Sequence, residues 1–563
     1  MQLEKVIIME EGKMNRIDFE EVKNDIQNII EEYIAIRSYT NTKSERLVEQ
    51  FLLYYCKNQP YYEEHPDYYG LYKMENDSLG RSVFWNMIKG QEDETIVFIH
   101  HSDIVEIDDY GRFKPDAFSP ERLKENLKKV KDSFDKDIKE DIESPDYMFG
   151  RGTADMKGGG SIQLALMKQY AKNKDFKGNI VLIAVPDEEN LSAGMRDATK
   201  LLNSLKEKYG FNYKLMINSE PHERQEDSKG VFYEGSIGKV MPFIYARGVM
   251  AHGGNVLDGF NPVSLMSEIV RKTEINMDLA DSFEGETTVP PTWLYLKDSK
   301  DFYDVSLPLS VYGCLSVLTL KNSPKDILTK LENICVKSFE AVLEDMKLNY
   351  EIYSSYKLKE MNWKVKVKDF AGIYEEAKLL YKQDFEMAYI EKLDELKALY
   401  NKGNITIINA NFELVDFVLR FIPSEPTVVY GLMPPYYPHV SNSYFEGKDE
   451  KIANLDSLIN EFTISNFGEK YNKVNFFPGI SDLSYTNIEK PLETKEALKA
   501  SMPLLDVLYT VPISDIKAIA MPCINIGPWG KDLHKLTERV NKIDLLEHTP
   551  RIINHVVEYI LGL

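Results

Sequence analysis

Asp187-Glu188-Glu189 closes the apolar run Ile180-Val-Leu-Ile-Ala-Val-Pro186. Two adjacent glutamates let one carboxylate hold a metal while its neighbour handles a proton. Standing alone, the pair would read equally well as a solvated turn. Three more apolar runs end in the same way. Glu94-Thr-Ile-Val-Phe-Ile99 leads into His100-His101-Ser102-Asp103, and Tyr213-Lys-Leu-Met-Ile-Asn218 leads into Ser219-Glu220-Pro221. Ala518-Ile-Ala-Met-Pro-Cys-Ile-Asn-Ile526 is followed by Gly527-Pro-Trp-Gly530 and His534. A further carboxylate, Asp155, sits inside the Gly-rich stretch Met148-Phe-Gly-Arg-Gly-Thr-Ala-Asp-Met-Lys-Gly-Gly-Gly160. That stretch matches neither the dinucleotide nor the P-loop pattern, and an Asp within it would repel phosphate. Imidazoles and carboxylates without a thiolate suit zinc, manganese or cobalt, so the chemistry in view is metal-dependent.

The same runs indicate the elements that must position these groups. Short apolar runs bounded by Gly and Pro read as strands buried on both faces. In an open α/β sheet the ligand site forms beyond the carboxyl ends of the strands, where each run delivers its imidazole or carboxylate. Apolar spacing predicts a helix over Ser161–Tyr170 and helical structure over 17–58. Strands and helices alternate to about residue 235, which predicts a doubly wound, mostly parallel sheet. The charged stretch Glu121–Glu143 reads as one exposed helix.

Residues 237–357 place strands at Gly238–Ala246, Thr288–Leu296, Val311–Leu320 and Tyr350–Tyr356, with helices between. That order suits a four-stranded antiparallel sheet with two helices on one face. Residues 358–446 hold a long helix over Tyr374–Leu399 and the run Pro426-Thr-Val-Val-Tyr-Gly-Leu-Met-Pro-Pro-Tyr-Tyr-Pro438. Its aromatics and prolines suit either a substrate-facing wall or packing against the lid. Residues 449–468 read as a helix, and the last helix takes Thr549 as N-cap with Pro550 at its first position. The expected division is a catalytic domain in two parts, 1–236 and 447–563. An α+β lid over 237–357 and an additional α/β insertion over 358–446 interrupt it.

His101-Ser-Asp103, Gly150-Arg-Gly-Thr-Ala-Asp-Met-Lys-Gly-Gly159, Asp187-Glu-Glu189, Glu220-Pro221 and a late His534 occur in that order. This series resembles the signature of metallopeptidase family M20, a group that includes aminoacylases, acetylornithine deacetylase, succinyl-diaminopimelate desuccinylase, peptidase T and glutamate carboxypeptidases. Within it, the long chain and Phe477-Pro-Gly-Ile-Ser-Asp-Leu-Ser-Tyr-Thr486 are most similar to RocB-type arginine-utilisation proteins. The resemblance implies a zinc-peptidase-like catalytic domain holding two divalent ions bridged by Asp155. Zinc is the first expectation, with cobalt or manganese also suited.

One ion would also take His101 and Glu220, the other Glu189 and His534. Glu188 would be the general base, taking a proton from the attacking water and passing it to the leaving amine. Asp103 would orient His101, since residues two apart on a strand leave the same face. His100 points the other way and reads as structural. Ala251-His-Gly-Gly254, followed by Gly259-Phe-Asn-Pro262, resembles the family's lid motif. In the family that motif's histidine reaches the active site of the partner subunit, so the resemblance implies this role for His252 and a homodimer through the lid. Read from its residues alone, a Gly-flanked histidine is equally a plain loop residue. Where relatives carry a substrate-binding Arg, this lid strand reads Thr319-Leu-Lys-Asn322, leaving Lys321 as the nearest equivalent.

A chain of 563 residues is long enough for two or three domains. A net charge of −22 without a dense Lys/Arg patch argues against nucleic-acid binding. Cys56, Cys314, Cys335 and Cys523 lack CxxC spacing and sit in apolar contexts, as buried thiols of a reducing compartment do. The stretch Met1–Glu10 is too charged for a signal peptide, and no run approaches the ~20 apolar residues of a membrane span. A cytoplasmic protein is expected. The expected function is metal-dependent hydrolysis of an amide or peptide bond in a small substrate, a dipeptide or N-acyl amino acid. The RocB-type resemblance adds arginine or amino-acid catabolism. The rival is a non-catalytic binding or scaffold protein that keeps the fold, and against it no ligand position and neither catalytic carboxylate is missing. A phosphoesterase would favour more Asp and His ligands and lacks the motif match.

Overall fold

The apolar runs pair into an eight-stranded sheet in the computed structural model, which describes residues 17–224, 229–353, 363–444 and 449–563. Across the sheet the strands are Tyr69–Lys73, Ser82–Lys89, Asn179–Val185, Glu94–His101, Asn212–Asn218, Cys523–Asn525, Val231–Tyr233 and Asn472–Val474. Asn179–Val185, Glu94–His101, Asn212–Asn218 and Cys523–Asn525 run parallel. Register sets His101 opposite Val185, Ile99 opposite Asn218, and Asn218 opposite Asn525. Their carboxyl ends therefore meet at one end of the sheet, where an open α/β sheet builds its site.

Helices Lys157–Tyr170 and Thr549–Leu561 pack on the Glu94–His101 strand, and Ala193–Tyr209 packs on Ser82–Lys89 and Asn179–Val185. The glycines that open the first of these helices let it close onto the strand ends. A Cβ at Gly159 would sit 2.1 Å from the Ser219 carbonyl oxygen, and one at Gly160 would sit 2.7 Å from the His100 ring. The Gly-rich stretch is thus a close-packing device rather than a phosphate cradle. Lys157 follows the same logic: its buried ammonium donates to the carbonyls of Tyr33, at 3.3 Å, and Ile36, at 2.6 Å. Those carbonyls close the helix Phe19–Ala35, whose end favours a cation.

Several elements differ from expectation. The run Ala518–Ile526 is mostly not strand. Helix Ile513–Ile519 takes its start, and Pro522, which has no N–H to give the ladder, leaves only Cys523–Asn525 paired. The charged stretch Glu121–Glu143 forms two helices, Pro120–Lys128 and Lys136–Glu143, and is not wholly exposed, since Leu123, Leu127 and Ile142 turn inward. The last helix, Thr549–Leu561, continues from a π-turn over Asp544–His548, so Thr549 caps nothing. The stretch Met1–Glu10 lies outside the described residues.

The chain divides into two compact units: Met1–Ser236 with Val440–Asn487 and Asp515–Leu563, and Ile237–His439 with Ile488–Ser514. Residues 363–439, part of the 358–446 stretch read from sequence as a separate insertion, and 488–514, read as catalytic, group with the second unit. Its sheet has five strands, in the order Thr292–Asp298, Ser310–Thr319, Gly238–Arg247, Thr427–Tyr437 and Val367–Asp369. The expected strand Tyr350–Tyr356 is not among them. Helix Pro324–Tyr353 runs through its first half, and 354–356 lie outside the described residues.

Its place is filled by Thr427–Tyr437, paired antiparallel with Gly238–Arg247 and buried along its whole length. The proline- and aromatic-rich run is therefore packing within the lid sheet. No helix among the described residues is long and apolar enough to cross a membrane. All four cysteines are free and buried.

Candidate metal centre

His101 ends its strand fully buried, and its Nε2 lies 3.0 Å from Asp155 Oδ1 and 3.4 Å from Glu220 Oε1. The second oxygen of Asp155, Oδ2, lies 3.0 Å from His534 Nε2. That same imidazole nitrogen stands 3.0 Å from Glu189 Oε1. Asp155 thus sits between two imidazoles with one oxygen towards each. Ligand atoms of His101, Asp155 and Glu189 lie within 4.8 Å of one another, as do those of His101, Glu188 and Glu220. Five segments far apart in sequence bring the predicted ligands and Glu188 together. Distance alone does not separate Glu188 from the ligand carboxylates.

Asp103 does more than face His101. Its Oδ1 accepts the Glu188 N–H at 3.1 Å and its Oδ2 the Glu189 N–H at 3.2 Å. His101 Nδ1 is 3.1 Å from the Asp103 backbone carbonyl and 3.6 Å from Oδ1. The Asp103 carboxylate therefore fixes the Glu188-Glu189 turn, while its carbonyl holds the imidazole. Asp187 anchors that turn from behind. Its Oδ1 accepts from Arg81 at 2.7 Å, and its own N–H donates to Glu45 at 2.8 Å. Asp187 and His534 both adopt left-handed backbone, φ 71° and φ 64°, a strain that side chains other than glycine bear where surrounding contacts impose it.

Electrostatics follow from crowding acids out of water. Burial raises Glu188 and Glu220 well above the ordinary carboxylate range; His101 opposes this, and neighbouring acids add to it. Burial alone would lower His101, but Glu220, Asp103 and Asp155 carry it well above its usual value. Hydrogen bonds to Asp155 and Glu189 raise His534 to about 10. Groups that hold protons this tightly answer an excess of negative charge, and divalent cations answer the same excess. Oxygen and imidazole donors with no thiolate among them fit zinc, manganese or cobalt. The residues present suit a metal centre.

The remaining candidates are placed as follows. His100 is buried, with Nδ1 3.0 Å from Gln163 Oε1, and burial lowers it to about 4, so it packs as a neutral ring. His252 belongs to the second unit, where it is exposed and its Nδ1 accepts the Gly254 N–H at 3.0 Å. Lys321 lies just beyond the strand Ser310–Thr319 of that unit, with its N–H held by Asp281.

A profile of the family described as "Peptidase family M20/M25/M40" matches residues 130–558. The chain belongs to this family. An uncharacterised protein of Bacillus subtilis (strain 168), YqjN, is 30% identical over 548 residues, covering 96% of this chain and 97% of that protein. Protein RocB of the same strain is 26% identical over 540 residues, covering 94% and 93%. A tripeptidase of Staphylococcus aureus subsp. aureus Mu50 shares the fold at TM-score 0.51 and 10% identity, covering 97% of this chain and 100% of that one. Membership of M20 makes the chain a metallopeptidase-family hydrolase with a mixed α/β catalytic fold and lid.

Beside the M20 signature stand residues that sequence reasoning passed over. Arg81 is buried among Glu45, Asp77 and Asp187, and no motif marks it. Asp482 lies in the quoted Phe477–Thr486 stretch, where burial pushes its carboxyl up to about 7. Glu538 is fully buried, and burial lifts it to about 7 against the pull of Arg151. Arg151 stands in the family motif, and a charged residue between two glycines is the signal that could have drawn attention to both partners.

Proposed function

We propose that the chain is a dinuclear metal-dependent amidohydrolase or peptidase acting on a small substrate, a dipeptide or N-acyl amino acid. The observation that carries this reading is Asp155, with one oxygen towards His101 and the other towards His534. His101, Asp155 and Glu220 would hold one ion, and Glu189, Asp155 and His534 the other. Bound there, divalent ions supply a lowered water pKa and a polarised scissile carbonyl.

Glu188 takes the proton of the attacking water and returns it to the leaving nitrogen. Asp103 holds the backbone of Glu188 and Glu189 so that base and ligand keep their separate directions. Zinc is the proposed ion. Resemblance to RocB-type arginine-utilisation proteins supports an arginine-related amide as the substrate class.

Elemental analysis after reconstitution with zinc, cobalt or manganese tests the centre. A panel of dipeptides, N-acyl amino acids and arginine derivatives, read by mass spectrometry, tests the reaction. The expected result is about two ions per chain and release of a free amine from at least one amide. Metal uptake with no turnover across the panel would instead favour the scaffold reading.

We further propose a homodimer in which His252 serves the active site of a second copy. The edge strand Thr292–Asp298 exposes Leu294 and Leu296, and Phe302 and Tyr303 stand exposed after it. Uncovered edges and apolar patches of this kind favour pairing. Mixing inactive His252→Ala chains with inactive Glu188→Gln chains should restore activity once subunits exchange, because one heterodimer site is intact. A chain that stays monomeric at micromolar concentration, or proven exchange without recovery, sinks the shared site.

A further inference from the structure

Glu538 plays no part in the reading above, yet it is completely buried with both carboxylate oxygens engaged. Oε2 accepts from Arg151 Nη1 at 2.5 Å. Oε1 accepts the Gly152 N–H at 2.7 Å, with the N–H groups of Ala154 and Asp155 each 3.4 Å away. The Glu538 carbonyl also accepts the Gly150 N–H at 3.1 Å. The loop that presents Asp155 is therefore strung around one side chain. Arg151 is itself 1% exposed and reaches the Glu106 carbonyl, at 3.3 Å, and Asp109, at 3.4 Å.

The other end of the arrangement is His534. Glu538 follows it by four positions, and the Glu538 N–H donates to the Lys535 carbonyl at 2.9 Å, closing the turn that continues directly from the one carrying the imidazole, where the Lys535 N–H donates to the Asp532 carbonyl at 3.1 Å. One residue thus joins the loop of Asp155 to the turn of His534. These are the two groups that meet at 3.0 Å in the centre.

We propose that Glu538, paired with Arg151, is a positioning residue that fixes Asp155 against His534 and so sets the affinity for the ion they share. This rests on the reading of Asp155 and His534 as metal ligands. The chemistry requires a carboxylate. Every group that faces Glu538 is a donor, so both of its oxygens must accept. A glutamine would turn its NH2 either towards Arg151 or towards the loop N–H groups, donor against donor. It would also strip the buried guanidinium of its nearer counter-charge, leaving Asp109 at 3.4 Å. A plain stabilising brace would make the same contacts, so the test must read the metal and not the fold alone.

Three variants separate the two roles: Glu538→Gln, Arg151→Lys, and the buried core change Val557→Ala as a destabilised control. Metal titration of Glu538→Gln should show the weaker ion bound about 10–100-fold less tightly, the range seen when groups behind the ligands are lost. Its cobalt-substituted form should show a visible spectrum of changed shape. With substrate saturating, kcat should fall at fixed metal and recover in excess metal, while KM stays near wild type.

Arg151→Lys keeps the charge without the fork and should fall between Glu538→Gln and wild type. Val557→Ala should lower Tm and leave affinity and spectrum unchanged. Should the amide variant lose its fold, Arg151→Lys decides instead, with weaker binding of the ion and a changed cobalt spectrum expected. The proposal is overturned if the folded variant lowers only Tm while binding both ions with wild-type affinity and spectrum. A wild type that takes up no metal is a separate outcome, and it defeats the functional reading instead.

Discussion

Glu188→Gln is expected to keep its fold and its metal and to lose about 10²–10⁴ in kcat, the usual worth of a general acid–base group. The amide matches the carboxylate in size, so the packing of this buried residue survives. Its N–H stays bonded to Asp103 Oδ1, as at 3.1 Å now. What disappears is the capacity to take a proton from water and deliver it to the leaving nitrogen.

Glu189→Gln provides the contrast. Its oxygen faces His534 at 3.0 Å, so its loss should appear in metal affinity before turnover. Steady-state rates at saturating metal, with the metal content of each variant measured alongside, check both. Turnover lost by Glu189→Gln at full metal, with metal lost by Glu188→Gln, would exchange the two roles.

The fold was legible where hydrophobic pattern alone decides it. Runs such as Ile180–Val185 need no partner to be recognised, because a strand covered on both faces is apolar at every position. Legibility failed where a local signal had two tertiary outcomes. The Tyr350–Tyr356 segment has strand-like aromatics, yet helix Pro324–Tyr353 continues through its start because packing rather than propensity fixes where a long helix ends. The aromatic run before Pro438 was ambiguous for a related reason. The helices packed on it, among them Pro324–Tyr353 and Ile407–Leu419, show that the faces of Thr427–Tyr437 are covered.

The gathering of the candidate residues was legible where His101, Glu189 and Glu220 follow strands whose ends the sheet register aligns. The parts that hold them were not. Arg81, Glu45 and Asp187 are separated by many residues and form no pattern until folded, although they fix the turn bearing Glu188. The left-handed backbone of Asp187 and His534 is invisible in the residue types, since neither is glycine. Asp103 carries a second task that spacing does not show. Its position two residues after His101 predicted that it faces the imidazole, whose Nδ1 stands 3.6 Å from Oδ1, and the same carboxylate also accepts the Glu188 and Glu189 N–H groups.

Asp155→Asn should remove both ions, lowering affinity at each site by more than ~100-fold, beyond the 10–100-fold typical of groups behind the ligands. Oxygen count and charge decide the outcome. The carboxylate turns Oδ1 to His101 and Oδ2 to His534, each at 3.0 Å. An asparagine keeps a single oxygen and presents an NH2 on the other side, where a cation would meet a donor. It also removes the negative charge shared between two divalent ions, which sit about 3.5–4 Å apart in such centres and repel without it.

His534→Ala should differ, since among the described residues that imidazole pairs with Asp155 and Glu189 and stands half exposed, leaving the His101 side intact. Elemental analysis and metal titration of the two variants, with circular dichroism to confirm the fold, distinguish these patterns. About two ions bound tightly by Asp155→Asn would end the bridging assignment. Loss of both ions in His534→Ala would mean that the two halves of the centre cannot form separately.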